Sequence, residues 1–300
     1  MRMQSAMEYL MTYGWAILII AVVLGALFQL GVFNASTFAP RAPPGACQVF
    51  RPNGPGSAQF INLEGVCNGE LPQYVLQSNG QNGNQYIEVP YSSTLAVSGQ
   101  FSVNWWFSSS LPLTTSYDEE MLTSRCEGDD TFDMQVQNGE LHGDIGTGTA
   151  FITTGVNYVS SAVPSQYTWY NIVTTFIATG WSIYLDGKNV SSGTFSSSTP
   201  SLVYNGNGLM VGSSCGANDF IGSMANIQIY NTSLSANEIQ ALYLEGIGGA
   251  PIKLQNLVGW WPLNGNANDY SGNNNSGAPN SGTPVSMSYT NQWASSYTTP

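Results

Sequence analysis

The chain has 300 residues, only 8% of them charged, and a formal net charge of -12, whereas ordinary soluble domains carry about 25% charged residues. Its six basic residues, Arg2, Arg41, Arg51, Arg125, Lys188 and Lys253, are scattered and form no patch able to neutralise phosphates, which excludes nucleic acid as a partner. A single histidine, His142, excludes a multi-histidine metal site, and its place after Asn-Gly-Glu-Leu reads as a strand end or turn. Ser, Thr, Asn, Gln, Gly and Tyr replace the charges, a composition common in β-rich extracellular proteins.

The first element is apolar. From Tyr9 to Phe33 there are 25 residues without a charge, which as a helix extend roughly 37 Å and cross a bilayer core of about 30 Å with some tilt. Arg2 precedes the stretch and the next basic residue is Arg41, so positive charge puts the N-terminus in the cytoplasm and the remainder outside. A secretory signal has a shorter apolar core followed by a small-residue cleavage site, and this stretch fits that pattern poorly. Glu8 stands out, because a carboxylate at a membrane edge is costly unless paired and no basic residue lies a helical turn or two ahead of it.

The string QSAMEYL followed by an apolar helix resembles the class III signal of archaeal type IV pilin-like proteins. The resemblance implies that a prepilin peptidase cuts between Met3 and Gln4 and leaves the helix attached. The new α-amino group of Gln4 on a neighbouring subunit is then the partner that Glu8 lacks. Residues 1–3 become a cytoplasmic leader, and 4–34 a pilin-like helix held in the membrane or in the core of a filament of like subunits. Gly14 and Gly25 would let such helices approach closely. The alternative is a plain signal anchor holding one copy in the membrane.

Residues 35–46, ASTFAPRAPPGA, read as a semi-rigid linker. From Cys47 to Pro300 short alternating runs separated by Gly, Asn and Ser clusters predict a mainly β domain, an antiparallel sandwich. In FSVNWWF, Phe101, Val103, Trp105 and Phe107 share the core face, and Trp106 stands alone in the polar row opposite. Further strands are expected in QYIEVP, TFDMQV, WYNIVTTF, WSIYLDG, LMVGSS and MANIQIY, with a hairpin turn at Asp186-Gly187. One short helix follows in LSANEIQALYLEG, where Ser235 and Glu238 have capping-box spacing and Gly246 ends it.

This succession is similar to the laminin-G-like, concanavalin A-like jelly rolls over most of residues 84–244. The resemblance implies two curved antiparallel sheets and a carbohydrate or protein ligand, often with calcium. The segment LVGWWPLNGNANDYSGN at 257–273 looks like the one that usually opens such a domain, yet here it follows the helix. Either the domain is circularly permuted, with 257–300 completing the sandwich, or a truncated second copy begins there; permutation is the reading adopted, since the termini of compact domains are often close.

Enzymes on this fold need two flanking carboxylates. The acidic runs YDEE at 117–120 and CEGDDTFD at 126–133 do not reproduce the Glu-x-Asp-x-x-Glu strand pattern of related glycanases and read as loops, so no enzyme is expected. For Ca²⁺, which takes about 6–8 oxygen ligands, the resemblance points to Asp269 and Asn273; Ala225 stands where the family's second acid would be, leaving Asp219 or backbone carbonyls to substitute. Cys47, Cys67, Cys126 and Cys215 lack CxxC spacing and are expected to form disulfides outside the cell. Of three pairings, 47–67 and 126–215 are chosen. Sequons at Asn34, Asn189, Asn231 and Asn274 fit a glycosylated surface. Trp106 is the candidate platform for a glycan, with burial in the sandwich as its competing role. Together these features predict a cell-surface pilin-like subunit or adhesin, its lectin-like domain displayed outside.

Overall fold

The computed structural model describes residues 3–29, 47–52, 58–63, 74–80, 85–111, 118–124, 131–152, 157–160, 165–195, 198–203, 208–214, 218–279 and 288–290. The chain divides into two compact units, residues 1–47 with 62–67 and residues 48–61 with 68–300. In the first, helix α1 runs Met3–Gln29. Its side chains are described over residues 13–26, where every position is exposed in the single chain, Trp15 at 64% and Ile20 at 58% among them. Among the described residues no helix is long and apolar enough to cross a membrane. The helix is expected to reach residue 34, and residues 30–34 lie outside the described residues.

The second unit is an antiparallel sandwich, as the alternation predicts. The strands of the chain are β1 (Cys47–Pro52), β2 (Ala58–Leu63), β3 (Val75–Asn79), β4 (Ile87–Val89), β5 (Phe101–Ser109), β6 (Glu119–Thr123), β7 (Asp133–Gln137), β8 (Glu140–Asp144) and β9 (Asn157–Ser160). They continue with β10 (Tyr170–Ile177), β11 (Gly180–Leu185), β12 (Lys188–Thr194), β13 (Leu209–Val211), β14 (Ile221–Tyr230), β15 (Leu257–Trp261), β16 (Ala278–Pro279) and β17 (Ser288–Thr290); helix α2 (Ala236–Glu245) lies between β14 and β15. Strands β1 and β2 pair with each other. One large sheet has the order β12-β11-β10-β5-β14-β3-β17, with β15 also on β14, and the other has the order β16-β4-β13-β6-β7-β8-β9.

The core lies between these sheets. Period-two alternation on β5 sends Phe101, Val103, Trp105 and Phe107 into it, each at 0% exposure, opposite Leu122, Met134, Leu141 and Val211 from the other sheet. Burial of each such side chain contributes about 1.5–3 kcal/mol. The β11–β12 hairpin turns at Asp186-Gly187, whose φ of 50° and 73° are the paired positive values that a two-residue turn matched to strand twist requires. Helix α2 starts at the capping box of Ser235 and Glu238 and ends at Gly246. It lays Ile239 and Leu242 against Val173, Tyr230, Leu234 and Leu257 on the outer face of the larger sheet.

Strand β14 is long enough to serve two partners on one side. Its first half pairs with β3 through Ile221–Met224, and its second half pairs with β15 through Ile227–Tyr230. The LVGWW segment is therefore a strand of the sandwich's own sheet. Trp261 is 1% exposed in the common core, and its indole N–H donates to the Asn275 carbonyl at 2.9 Å.

Two local expectations are corrected. Residues of the YDEE run, read as a loop, belong to strand β6 from Glu119 onward. His142, read as a strand end or turn, lies within β8 opposite Gln135, its Nδ1 3.1 Å from the Gln135 amide nitrogen. In both places a polar strand residue pairs on the ladder, and polarity alone does not mark a turn.

Candidate functional site

Three loops at one end of the sandwich, those joining β4 to β5, β8 to β9 and β12 to β13, frame a cleft of about 820 Å³. That is within the roughly 300–1,000 Å³ of small-molecule sites. Buried apolar residues plug each loop into the core: Leu95 and Val97 in the first, Ile145 and Ile152 in the second, Leu202 and Val203 in the third. Between and beside these plugs the chain turns Ala96, Ser98, Thr147, Ser198, Thr199 and Ser201 to the cleft, and Tyr91 completes its lining.

Backbone bonds tie the loops together. Gly99 N–H donates to the Pro200 carbonyl at 2.9 Å, Leu202 N–H to Val97 at 3.1 Å, and Ser201 N–H to Gly146 at 2.8 Å. Gly99 holds φ at +87°, a conformation side-chain-bearing residues rarely adopt, and this brings it under Thr199. Thr147 donates both its N–H and its hydroxyl to Ala150, at 2.9 and 3.1 Å. Ser198 sits at φ 133°, an unusual value for a residue other than glycine, and such backbone outliers cluster at ligand clamps.

The chemistry of the lining is uniform. Among the described residues it carries one aromatic ring, 45% exposed at Tyr91, a row of hydroxyls, and no charged side chain. Ser201 is 2% exposed, and its Oγ has no hydrogen-bond partner among the described residues. A buried hydroxyl left unpaired costs about 1–3 kcal/mol. Sequence reading passed over these residues because SSTLAVSG, GTGTA and SSSTPS look like ordinary turns in a chain rich in Ser and Thr.

The sequence-predicted residues lie elsewhere. Trp106 is 2% exposed and stacks on Tyr243 with ring centroids 5.9 Å apart and planes at 19°. It packs with Val75, Trp169, Ala225 and Ile247, so it is not an exposed platform; α2 and the turn after it cover the polar row in which it stands. Asp269 is not an open metal ligand. Its Oδ1 accepts from Trp260 N–H at 3.0 Å and Ser271 N–H at 2.8 Å, and its Oδ2 from the Ser271 hydroxyl at 2.9 Å and Asn275 N–H at 2.8 Å. Those four donors take the roughly four lone-pair positions of a carboxylate. Asn273 likewise holds the turn, its amide nitrogen donating to the Leu257 and Val258 carbonyls at 3.1 and 3.2 Å. Asp219 is buried where it bridges Glu120, and among the described residues no three of His, Cys, Asp and Glu gather at a point.

Asn189, Asn231 and Asn274 are all exposed on the sandwich. Asn34, Cys67, Cys126 and Cys215 lie outside the described residues, as do the side chains of Met3, Gln4, Glu8 and Cys47.

One acid is unusual. Glu119 on β6 is 2% exposed, and the Ser109 hydroxyl donates to its two oxygens at 3.2 and 3.1 Å. Burial pushes its carboxyl up to about 7, against the bonds from Ser109 and the Ile221 backbone, which favour the charged form.

Comparison with known proteins agrees with this architecture. The family model described as the Concanavalin A-like lectin/glucanases superfamily matches residues 80–240. No curated protein matches the chain. A structure of a candidate carbohydrate-binding protein from Bacteroides ovatus is similar at TM-score 0.52 and 13% identity, over 74% of this chain and 62% of that one. The binding domain of Paraclostridial Mosquitocidal Protein 1 is similar at TM-score 0.45 and 13% identity, over 67% and 52%. The Botulinum neurotoxin serotype D ligand-binding domain, solved with N-acetylneuraminic acid, is similar at TM-score 0.43 and 12% identity, over 67% and 50%. The chain thus spans between half and two thirds of the length of these structures, and at such identities the likeness is one of fold.

Proposed function

We propose, from the premise that the chain belongs to the Concanavalin A-like lectin/glucanases superfamily, that its sandwich binds carbohydrate outside the cell without acting on it as an enzyme. The observation that carries this reading is the loop cleft, where an exposed tyrosine ring and hydroxyls stand on loops fixed by core plugs. Sugar rings offer apolar faces for stacking and hydroxyls for hydrogen bonding, and this lining answers both. Glu119 of β6 is buried against Ser109, and among the described residues the cleft lining carries no carboxylate, so in this proposal the cleft binds its ligand.

In this proposal α1 is the anchor. Its apolar side chains, exposed along residues 13–26 of the single chain, are covered by lipid or by the helices of like subunits in a filament. A prepilin peptidase cuts before Gln4, and Glu8 pairs with a neighbour's new terminal amine. N-terminal sequencing of the mature protein tests this part, and a start beyond residue 34 would remove it. A glycan-array screen of the full chain, with and without Ca²⁺, tests the binding; absence of any ligand under both conditions would leave a purely structural subunit as the better description.

A further inference from the structure

We infer that the loop cleft takes an uncharged saccharide, held by the ring of Tyr91 and a wall of hydroxyls, and that it does so without a metal ion. This rests on the carbohydrate-binding reading above and adds the class of sugar, the place and the independence from calcium.

The lining decides the class. Among the described residues Tyr91, Ser98, Thr147, Ser198 and Thr199 give the cleft an aromatic ring and neutral hydroxyls, and the lining includes neither an Arg or Lys for a carboxylate or sulfate nor an Asp or Glu for an amine. A charged sugar group entering it would lose water without gaining a counter-charge, a cost that neutral rings avoid. The formal net charge of -12 further repels acidic glycans at long range. A hydroxyl can both donate and accept, the same mixed character that sugar hydroxyls have; Thr147, whose hydroxyl donates to the Ala150 carbonyl, is left as an acceptor. Ser201 adds a buried hydroxyl with no partner among the described residues to the cleft wall.

The metal is unnecessary for two reasons. Among the described residues the cleft lining supplies no carboxylate, and hard cations such as Ca²⁺ bind through several oxygen ligands that usually include carboxylates. Asp269, the acid most like a family ligand, has its oxygens filled by N–H and O–H donors in the β15 turn. The described segments 91–99, 145–152 and 198–203 are also held before any ligand arrives, because their plugs and cross-loop bonds are in place. Less ordering cost then falls on binding.

The test is a titration of the full chain, kept in a detergent without sugar headgroups, with mannotriose, cellotriose and triacetylchitotriose against sialyllactose and a sulfated disaccharide. Each is run in EDTA and in Ca²⁺, for the native chain, Tyr91→Ala and Tyr91→Phe. The expected result is binding of at least one neutral probe, equal in EDTA and Ca²⁺, weakened about tenfold or more by Tyr91→Ala and within about threefold of native for Tyr91→Phe. Circular dichroism and melting of both variants show whether they are folded. Binding restricted to the acidic probes, lost in EDTA, or unchanged in a folded Tyr91→Ala would overturn this inference while the carbohydrate-binding reading stands. Failure to bind every probe here and every glycan on the array would overturn both.

Discussion

Replacing Glu119 with glutamine makes the stability of the sandwich less dependent on pH. The native carboxyl is 2% exposed, accepts from the Ser109 hydroxyl, and is held up to about 7 by burial, against an ordinary value of 4.5. Because the folded value lies above the unfolded one, its contribution to stability is fully present below about 4.5 and is lost as pH rises through about 7. At about 1.4 kcal/mol per unit, the loss on going to about pH 8 is roughly 3 kcal/mol. Glutamine keeps the shape and a hydrogen-bonding oxygen for Ser109 but carries no charge to desolvate. For a domain of this size roughly 2–4 °C accompanies each kcal/mol. Scanning calorimetry should therefore find Glu119→Gln melting about 6–12 °C above the native chain at about pH 8, the gap closing toward pH 4.5. A gap that does not change with pH, or a variant less stable at high pH, would refute the burial argument.

Three further outcomes are expected. Trp106→Ala should destabilise the sandwich by about 3–5 kcal/mol in denaturant unfolding, as removal of a buried, stacked aromatic does; a loss under about 1 kcal/mol would mean that the ring is not packed against Tyr243. Ending the chain before Leu257 removes β15 and the core side chains Val258, Trp261 and Leu263, at about 1.5–3 kcal/mol each. Since whole domains are stable by only about 5–15 kcal/mol, the truncated sandwich should lose its cooperative melt, and an unchanged melting temperature would make the segment an appendage. Asp269→Ala should cost about 2–4 kcal/mol, because it strands the N–H groups of Trp260, Ser271 and Asn275, while millimolar Ca²⁺ should leave the native melting temperature unchanged; a rise on adding Ca²⁺ would return a metal to this turn.

What was legible in the sequence was local. The Asp186-Gly187 turn and the Ser235–Glu238 cap depend on residues a few positions apart, and the alternation of β5 depends only on the pleat. Alternation tells which face a residue takes but not what lies on that face. Trp106 was therefore placed correctly opposite Trp105, and its cover, brought by a helix more than a hundred residues later, could not be read. Glu119 shows the same limit: two adjacent acids suggest a solvated loop, and only the approach of Ser109 from the other sheet turns one into a buried strand residue. The motif at Asp269 suggested ligands, but the backbone donors that fill it depend on the return of the chain to Trp260 and Asn275. The cleft was hidden longest, because its lining comes from three loops far apart in sequence whose Ser and Thr residues look like many others.

Hydrogen–deuterium exchange of the full chain with and without its best glycan-array ligand tests the central claim most directly, since it reports where the ligand sits. The account predicts slowed exchange in residues 91–99, 146–151 and 198–203, the three segments that frame the cleft and are already tied by backbone bonds, with the turn at 267–277 unchanged. Protection confined to that turn or to the face beneath α2, with the cleft loops unaffected, would contradict it.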